Sequence, residues 1–246
     1  MKILSLNIRQ GGGKRAQTLL DWTFSHAPDV VVFLEWRNNA IGQGILKTFR
    51  AEGFATATAC RNKPGSNGLL IAAKRAFDSQ RITLRASDKG ELLIAQIPLG
   101  FRILAGYYPY NQSKGPFFRL CMDEASRARE VPMLLIGDLN TGRNDLDVEG
   151  NGARFHCADL FESLESQAGL SDLWRATNGK HQEWTWRSRT NGFRIDHAFG
   201  NEPLVERFGP VRCHYDHAPR ETRLTDHSAL LVELSGSVPL RNSIGT

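Results

Sequence analysis

No stretch of this 246-residue chain approaches the roughly 20 consecutive apolar residues that cross a bilayer, so no stable membrane association is expected. Cysteine is scarce. Cys60, Cys121, Cys157 and Cys213 form no CxxC pair and no zinc-type cluster. That argues against a disulfide scaffold and a thiolate metal site, and free thiols in a cytoplasmic protein are the expectation. The opening MKILSLNIR alternates and carries charge, unlike a signal peptide. There is no GxSxG elbow for a serine nucleophile, and no GxGxxG follows the first apolar run to mark a Rossmann site. Negative charge is short in the first half. Residues 1–130 hold 19 Lys and Arg against 10 Asp and Glu, and the remainder holds 12 against 16. With a net charge of +5, this asymmetry suits a polyanionic partner such as nucleic acid.

What is present is enough apolar residue, 41%, to bury one large core. Residues 1–235 are expected to form one catalytic domain, with 236–246 a frayed tail, and a monomer is the expected state. Residues 2–8 alternate as a half-buried strand does. Ala16, Leu19, Leu20, Thr23 and Phe24 share one helical face over 15–25. Val30 to Leu34 is a continuous apolar strand, and 41–51 reads as a second helix. Residues 67–74, 81–86, 91–99 and 101–109 read as a strand series, with a turn at Pro98-Leu99-Gly100 making a hairpin of the last two. A helix over 116–130, a strand over 132–138, a glycine-marked loop over 141–156 and a helix over 157–168 follow. EWTWRS, FRIDHAFG and SALLVEL supply the closing strands. Many strands, several joined by hairpins and interleaved with helices, fit a two-sheet α/β sandwich.

The chemistry gathers where apolar runs end. Glu35 follows Val30 to Leu34, and a carboxylate so placed must be paired, protonated or bound to a metal; Arg37 is its alternative partner. With the Asn7 amide oxygen it makes a donor set suited to a hard cation, Mg²⁺ or Mn²⁺. In GDLN, Asp138 and Asn140 stand two apart, so an extended backbone points them the same way, while Gly137 allows a bend or a close backbone approach. Asp138 suits orienting or deprotonating water, and Asn140 suits holding a phosphate oxygen, although DLNTG is also good turn chemistry. Asp226 and His227 precede SALLVEL and serve one site only at a bent strand start. Asp196, in FRIDHAFG, is the best partner to orient His227, which makes the adjacent His197 a decoy. His181, His214 and His217 read as surface or structural. Together these groups meet the needs of phosphoryl transfer: a base for water, a cation and donors for the gathering charge, and a proton or metal for the departing oxygen.

GYYPYNQSKG places Tyr107, Tyr108 and Tyr110 beside Asn111 and Lys114. A tyrosine hydroxyl can donate to phosphate and Lys114 can attract it, with one of Tyr107 and Tyr108 assigned to the core. Further on, Trp184 and Trp186 are expected on one strand face, followed by Arg187, Arg189 and Arg194. Such a combination suits a base or sugar beside a phosphate backbone.

The ordered set LSLNIR, DVVVFLEW, GYYP, GDLNTGRNDLDV, GLSDLWR, TWRSRTNGFRIDHAF and LTDHSALLVEL resembles the endonuclease/exonuclease/phosphatase superfamily over nearly the whole chain. Within it, the bacterial exonuclease III type of abasic-site DNA-repair enzyme looks nearest. The resemblance implies a four-layered α/β sandwich of two packed, mostly antiparallel sheets flanked by helices. It implies Mg²⁺ or Mn²⁺ held by Glu35 with Asn7 and Asp226 nearby, and Asp138 activating water or assisting the leaving group. Asn140 would position phosphate, His227 oriented by Asp196 would stabilise the transition state, Tyr107 would contact phosphate, and Trp186 would sit in the aromatic pocket. Lys114, Asn111, Arg187 and Arg189 are expected to bind substrate. The expected activity is hydrolysis of DNA phosphodiester bonds, as an exonuclease or abasic-site endonuclease in repair. The alternatives are a hydrolase of a small or lipid phosphoester and a non-enzymatic nucleic-acid-binding module.

Overall fold

Alternating apolar residues dictate two sheets that share one interior. The computed structural model of the chain describes residues 1–61, 63, 65–82, 84, 90–98, 100–150 and 153–235. In chain order the first half runs β1 (Lys2–Asn7), α1 (Ala16–Ser25), β2 (Val30–Trp36), α2 (Ala40–Ala51), β3 (Ala55–Ala59), β4 (Gly68–Ala73), β5 (Asp78–Ile82), β6 (Glu91–Ile97), β7 (Phe101–Tyr107) and α3 (Gly115–Arg127). The second half runs β8 (Met133–Asp138), α4 (Ala158–Ser166), β9 (Leu170–Asp172), α5 (Leu173–Asn178), β10 (Trp186–Arg187), β11 (Gly192–Phe193), β12 (Asp196–Asn201), α6 (Glu202–Phe208), β13 (Val211–Asp216), α7 (Ala218–Glu221) and β14 (Ala229–Leu234).

The first sheet has the order β13-β14-β1-β2-β4-β3 and the second β5-β6-β7-β8-β12-β9, with β10 and β11 a separate ribbon. Each large sheet is antiparallel except for one central pair, β1 with β2 and β7 with β8. Parallel neighbours need a crossover, and α1 and α3 supply the two. Along β2, Val30, Val32 and Leu34 enter the core between the sheets, while Val31 and Phe33 pack outward with residues of α1 and α2. The outer face of the second sheet packs Leu104 and Leu135 against α3 and α4 through Phe117, Phe118, Phe161 and Leu164. The four layers are thus helices, sheet, sheet, helices, as the sequence resemblance implies.

Several elements differ from the sequence reading. The strand expected over 81–86 lies at Asp78–Ile82, because its pairing with β6 fixes the register from Asp78 opposite Gln96; residues 83, 85 and 86 are outside those described. The β6–β7 hairpin is present, although Leu99 of its turn is also outside them, as is the tail 236–246. The sequence reading assigned neither β9, which is only three residues long, nor the edge strand β13, where Val211, Cys213 and Tyr215 alternate with Arg212, His214 and Asp216 and face the core. Among the described residues, no helix is long and apolar enough to cross a membrane, and all four cysteines are free thiols.

Candidate active site

The parallel pairs aim their carboxyl-terminal ends at one edge of the sandwich. Asn7 ends β1, Tyr107 ends β7 and Asp138 ends β8, while Glu35 is the penultimate residue of β2. Asp196 begins β12, and His227 lies just before β14. Three hydrogen bonds then join the sheets: Asn7 Nδ2 donates to Asp138 Oδ2 at 3.0 Å, Tyr107 O–H donates to Glu35 Oε1 at 3.2 Å, and His227 Nδ1 meets Asp196 Oδ2 at 2.9 Å.

Local backbone features explain how these groups reach one place. Glu35 has a left-handed φ of 59° at the register shift between Leu34 and Trp36. Such a bulge re-aims a side chain that a regular pleat would have pointed elsewhere. The carboxylate is then held by the Gln10 amide, which donates to Oε2 at 2.7 Å, and Arg37 instead donates to Asn67 Oδ1 at 2.7 Å. Asn67 Nδ2 in turn donates to the Tyr107 hydroxyl at 3.3 Å. Gly137 is required by close approach: a Cβ there would lie 2.0 Å from the Gly106 carbonyl oxygen on the neighbouring strand.

The backbone past Asp138 is not extended, contrary to the alternation expected for GDLN. Asn140 has φ 50°, and its amide donates to Asp138 Oδ1 at 3.0 Å. The turn chemistry and the site chemistry are therefore one structure, with the turn folding Asn140 back beside Asp138. The Asn140 side chain donates to the Tyr108 carbonyl at 2.9 Å. Asp226 and His227 do occupy a bent strand start, and both line the cavity described below.

Asp138, Asp196 and His227 are all buried and place ligand atoms within 4.8 Å of one another. Burial, and then the Asp196 charge, raises the Asp138 carboxyl to about 7 against the opposing pull of His227 and Asn7. Burial alone would lower His227, but Asp196 and then Asp138 reverse this and raise it to about 10. A protonated imidazole has no lone pair to give, so this trio is a charge-balanced acid–base cluster more than a metal cage. The set better suited to a hard cation is Glu35 and Asp226, which line the same cavity, with Asn7 bonded to Asp138 beside them. Their oxygens are the donor type that Mg²⁺ or Mn²⁺ takes, and the fit is carboxylate-rich. The cation nearest Asp226 is the half-exposed Arg9, with Nε 3.6 Å away. The Tyr107 hydroxyl is raised by burial and then by the Glu35 charge, which keeps it a donor.

These groups open into a cavity of about 390 Å³, lined on the chemical side by Glu35, Tyr107, Asp138, Asn140, Asp226 and His227. Its apolar side is Phe155, Trp186, Phe193 and Ile195, with Tyr110 also lining it. Trp186 and Phe193 are paired across the ribbon, with ring centroids 5.7 Å apart, and Trp186 Nε1 donates to Asp226 Oδ2 at 3.5 Å. Phe155, Phe193 and Ile195 were missed in the sequence: Phe155 stands alone in a polar loop, and Phe193 and Ile195 read as ordinary strand residues of FRIDHAFG.

Four expected substrate contacts stand elsewhere. Lys114 is fully buried, with Nζ donating to the Asn140 carbonyl; it fixes the turn and does not line the cavity. Asn111 caps a short helical turn through Ser113 N at 3.0 Å. Arg187 is paired with Glu149 at 2.6 Å, and Arg189 is exposed but does not line the cavity. Arg194 is buried, not part of a solvated basic loop, and bonds Asp147 and Asp172. Trp184 and Trp186 do not share a face. Trp184 covers Gly192, whose added Cβ would meet the indole at 2.5 Å, whereas Trp186 packs on the next residue, Phe193. Tyr108 is the core member of its pair, stacked on Phe117. His197 is buried, with Nε2 2.7 Å from the Thr141 carbonyl oxygen, and stands outside the cavity lining.

The family model described as endonuclease/exonuclease/phosphatase matches residues 4–227. Among solved structures, a 3′-5′ exonuclease (NExo) from Neisseria meningitidis superposes with a TM-score of 0.79 at 19% identity, covering 96% of this chain and 100% of that one. The 3′ phosphatase NExo from Neisseria bound to product DNA hairpin gives 0.80 at 19%, over 96% and 99%. An AP endonuclease from Archaeoglobus fulgidus gives 0.78 at 19%, over 95% and 99%. At such identity these likenesses establish the shared fold.

Proposed function

The chain belongs to the endonuclease/exonuclease/phosphatase family, and from that we propose that it is a divalent-cation-dependent hydrolase of DNA phosphodiester bonds acting in repair, as an exonuclease or abasic-site endonuclease. One observation carries the reading: three cross-sheet hydrogen bonds gather an acid–base cluster and an oxygen-rich donor pair beside one cavity with an aromatic wall. Acid–base groups suit hydrolysis, and aromatic side chains suit the sugar or base that accompanies a nucleic-acid phosphate.

Bound Mg²⁺ or Mn²⁺, held by Glu35 and Asp226 with Asn7 beside them, would neutralise charge on the phosphoryl oxygens and on the departing oxygen. The remaining roles fall to the chain itself. Asp138 accepts a proton from the attacking water, and a base with a pKa of about 7 is matched to neutral pH. The Asn7 and Asn140 donors each hold one oxygen of that carboxylate and fix its direction. His227, kept protonated by Asp196, donates to the phosphoryl group as negative charge gathers on it. Asn140 orients a phosphate oxygen from its turn. Tyr107 acts on Glu35, setting the carboxylate that Gln10 N–H holds from the other side.

The test offers purified protein abasic duplex, nicked duplex, single-stranded DNA, RNA and a phosphoinositide, each with Mg²⁺ and with chelator. Chelator-sensitive cleavage of DNA is expected, and Glu35→Gln is expected to raise the Mg²⁺ concentration for half-maximal rate at least tenfold. Turnover of the phosphoinositide alone would replace this reading with the small-phosphoester one, and cleavage indifferent to chelator would remove the cation.

A further inference from the structure

Asp226 is the loosely held carboxylate of the donor pair. Glu35 is fixed by Gln10 N–H at 2.7 Å and by the Tyr107 hydroxyl at 3.2 Å. Asp226 receives Trp186 Nε1 only at 3.5 Å on Oδ2, and Thr225 Oγ1 at 3.4 Å on Oδ1. Its counter-charge is Arg9, whose Nε stands 3.6 Å from the same Oδ2, outside hydrogen-bond distance. The two side chains are 57% and 38% exposed, and an ion pair that open to water is weak.

The backbone under Arg9 is fixed, whereas its side chain is not. Arg9 N–H donates to Asn7 Oδ1 at 2.9 Å, and Asn7 Nδ2 donates to Asp138. The Arg9 carbonyl accepts from Arg15 Nη2 at 2.9 Å and from Gly12 N–H at 3.2 Å. Its φ of 52° opens a left-handed run that continues through Gln10 and the glycines to Gly13. A residue with a side chain adopts that region rarely, and here it leaves the guanidinium beside Asp226 at the rim of the cavity. An arginine anchored at its base and open at its tip can change partners without moving the site.

A divalent ion and this arginine compete for one oxygen. The ion carries twice the charge and binds a carboxylate oxygen directly, so it displaces a guanidinium held at longer range. The displaced guanidinium then lacks an anion, and its planar fork matches the oxygens of a phosphate. Resting on the cation-dependent reading above, we propose that Arg9 is a substrate-binding residue that exchanges partners. It pairs with Asp226 in the metal-free site, and it passes to a phosphodiester oxygen of the DNA strand when a divalent ion takes that carboxylate. Ion and strand then bind cooperatively, since each removes the partner that competes with the other.

The first experiment titrates Mn²⁺ into the whole metal-free protein by calorimetry, with no DNA present. Arg9→Gln is expected to bind the ion about tenfold more tightly than wild type, with Arg9→Lys between them. Gln10 already holds a φ of 53°, so glutamine suits the backbone at position 9. Lys14→Gln removes the same charge from an exposed position on the same loop, and is expected to shift the affinity by less than about twofold. The second experiment measures duplex DNA binding by anisotropy across a salt series, with Asp138→Asn throughout to keep the DNA intact. In Mn²⁺, adding Arg9→Gln is expected to reduce the slope of log Kd against log salt by about one. In chelator, where Asp226 holds the guanidinium, the slope is expected to stay the same. Unchanged Mn²⁺ affinity in Arg9→Gln overturns the proposal, and so does an equal tightening in Lys14→Gln. A slope that falls equally with and without the ion, or falls in neither, also overturns it. A wild-type protein that binds no Mn²⁺ removes the cation from the proposed function together with this inference, whereas Mn²⁺ binding that Arg9→Gln leaves unaltered sinks the exchange alone.

Discussion

Asp138 and Asp196 are direct partners in the antiparallel ladder between β8 and β12. Like charges opposite each other on a sheet repel, and both side chains are buried. The arrangement persists because the His227 imidazole is bonded to Asp196 at 2.9 Å and attracts Asp138 as well. Two carboxylates and one imidazole thus stand in one cluster, with the His227 ring between opposing charges.

Replacing Asp138 by Asn keeps the shape and removes the proton acceptor. The hydrolysis rate is expected to fall by about 10²–10⁴. The unfolding temperature is expected to hold or rise, since repulsion with Asp196 is gone. Single-turnover cleavage and thermal melts check both; a near-normal rate would take Asp138 out of the chemistry.

Stability should fall in alkali. His227 is raised from 6.5 to about 10, so its contribution is complete below pH 6.5 and is lost as pH rises through about 10. Asp138, raised from 3.8 to about 7, acts in the same direction at lower pH. His197 works the other way: lowered to about 4 by burial and then by Arg194, its contribution is complete above pH 6.5 and is lost as pH falls through about 4. Melts of metal-free protein should show the unfolding temperature declining between pH 7 and 10, and less steeply in His227→Gln. An equal decline in the variant would contradict the assignment.

Thr185 is a buried hub. Its Oγ1 accepts from Ile195 N at 3.1 Å and Asp196 N at 3.2 Å, and its carbonyl accepts from Ser228 N at 2.8 Å. Thr185→Val keeps the volume and strands two amides. Leaving a buried group unsatisfied costs about 1–3 kcal/mol, and activity should drop with it because Asp196 loses an anchor. Thr185→Ser should restore most of both in urea melts and cleavage assays. Unchanged stability in the valine variant would contradict the account.

Arg194 holds Asp147 and Asp172 inside the fold. Burial alone would raise Asp147, yet Arg194 overrides it and holds the carboxyl at about 2. Arg194→Met should destabilise the protein by about 3–5 kcal/mol by leaving buried Asp172 without its cation, while Asp147 keeps Arg175. Arg194→Lys should rescue little, lacking the planar fork that serves two carboxylates. Urea denaturation measures this, and a lysine variant as stable as wild type would refute it.

The residues at the strand ends were legible because an apolar run that stops at an acid or amide is a local pattern. Asn7, Glu35 and Asp138 each stand at such a stop, and Asp226 and His227 stand at the start of another apolar run. Their partnerships were less legible, since Asn7 and Asp138 are 131 residues apart. The Gln10 amide on Glu35 left no trace, because a backbone N–H is the same in every residue but proline. Lys114 and Arg194 were misplaced for one reason. Their charge reads as surface in one dimension, and only the fold shows the carbonyl or the carboxylates waiting inside. The bulge at Glu35 was equally hidden, as the same five apolar residues precede a regular strand end.

Three of the bonds that assemble the cavity's chemistry cross from one sheet to the other. A chain whose halves have collapsed without interlocking would hold all the needed side chains and remain inert. Catalytic competence therefore depends on the two sheets being interlocked, and a slip of one sheet against the other would silence the site while every helix stood.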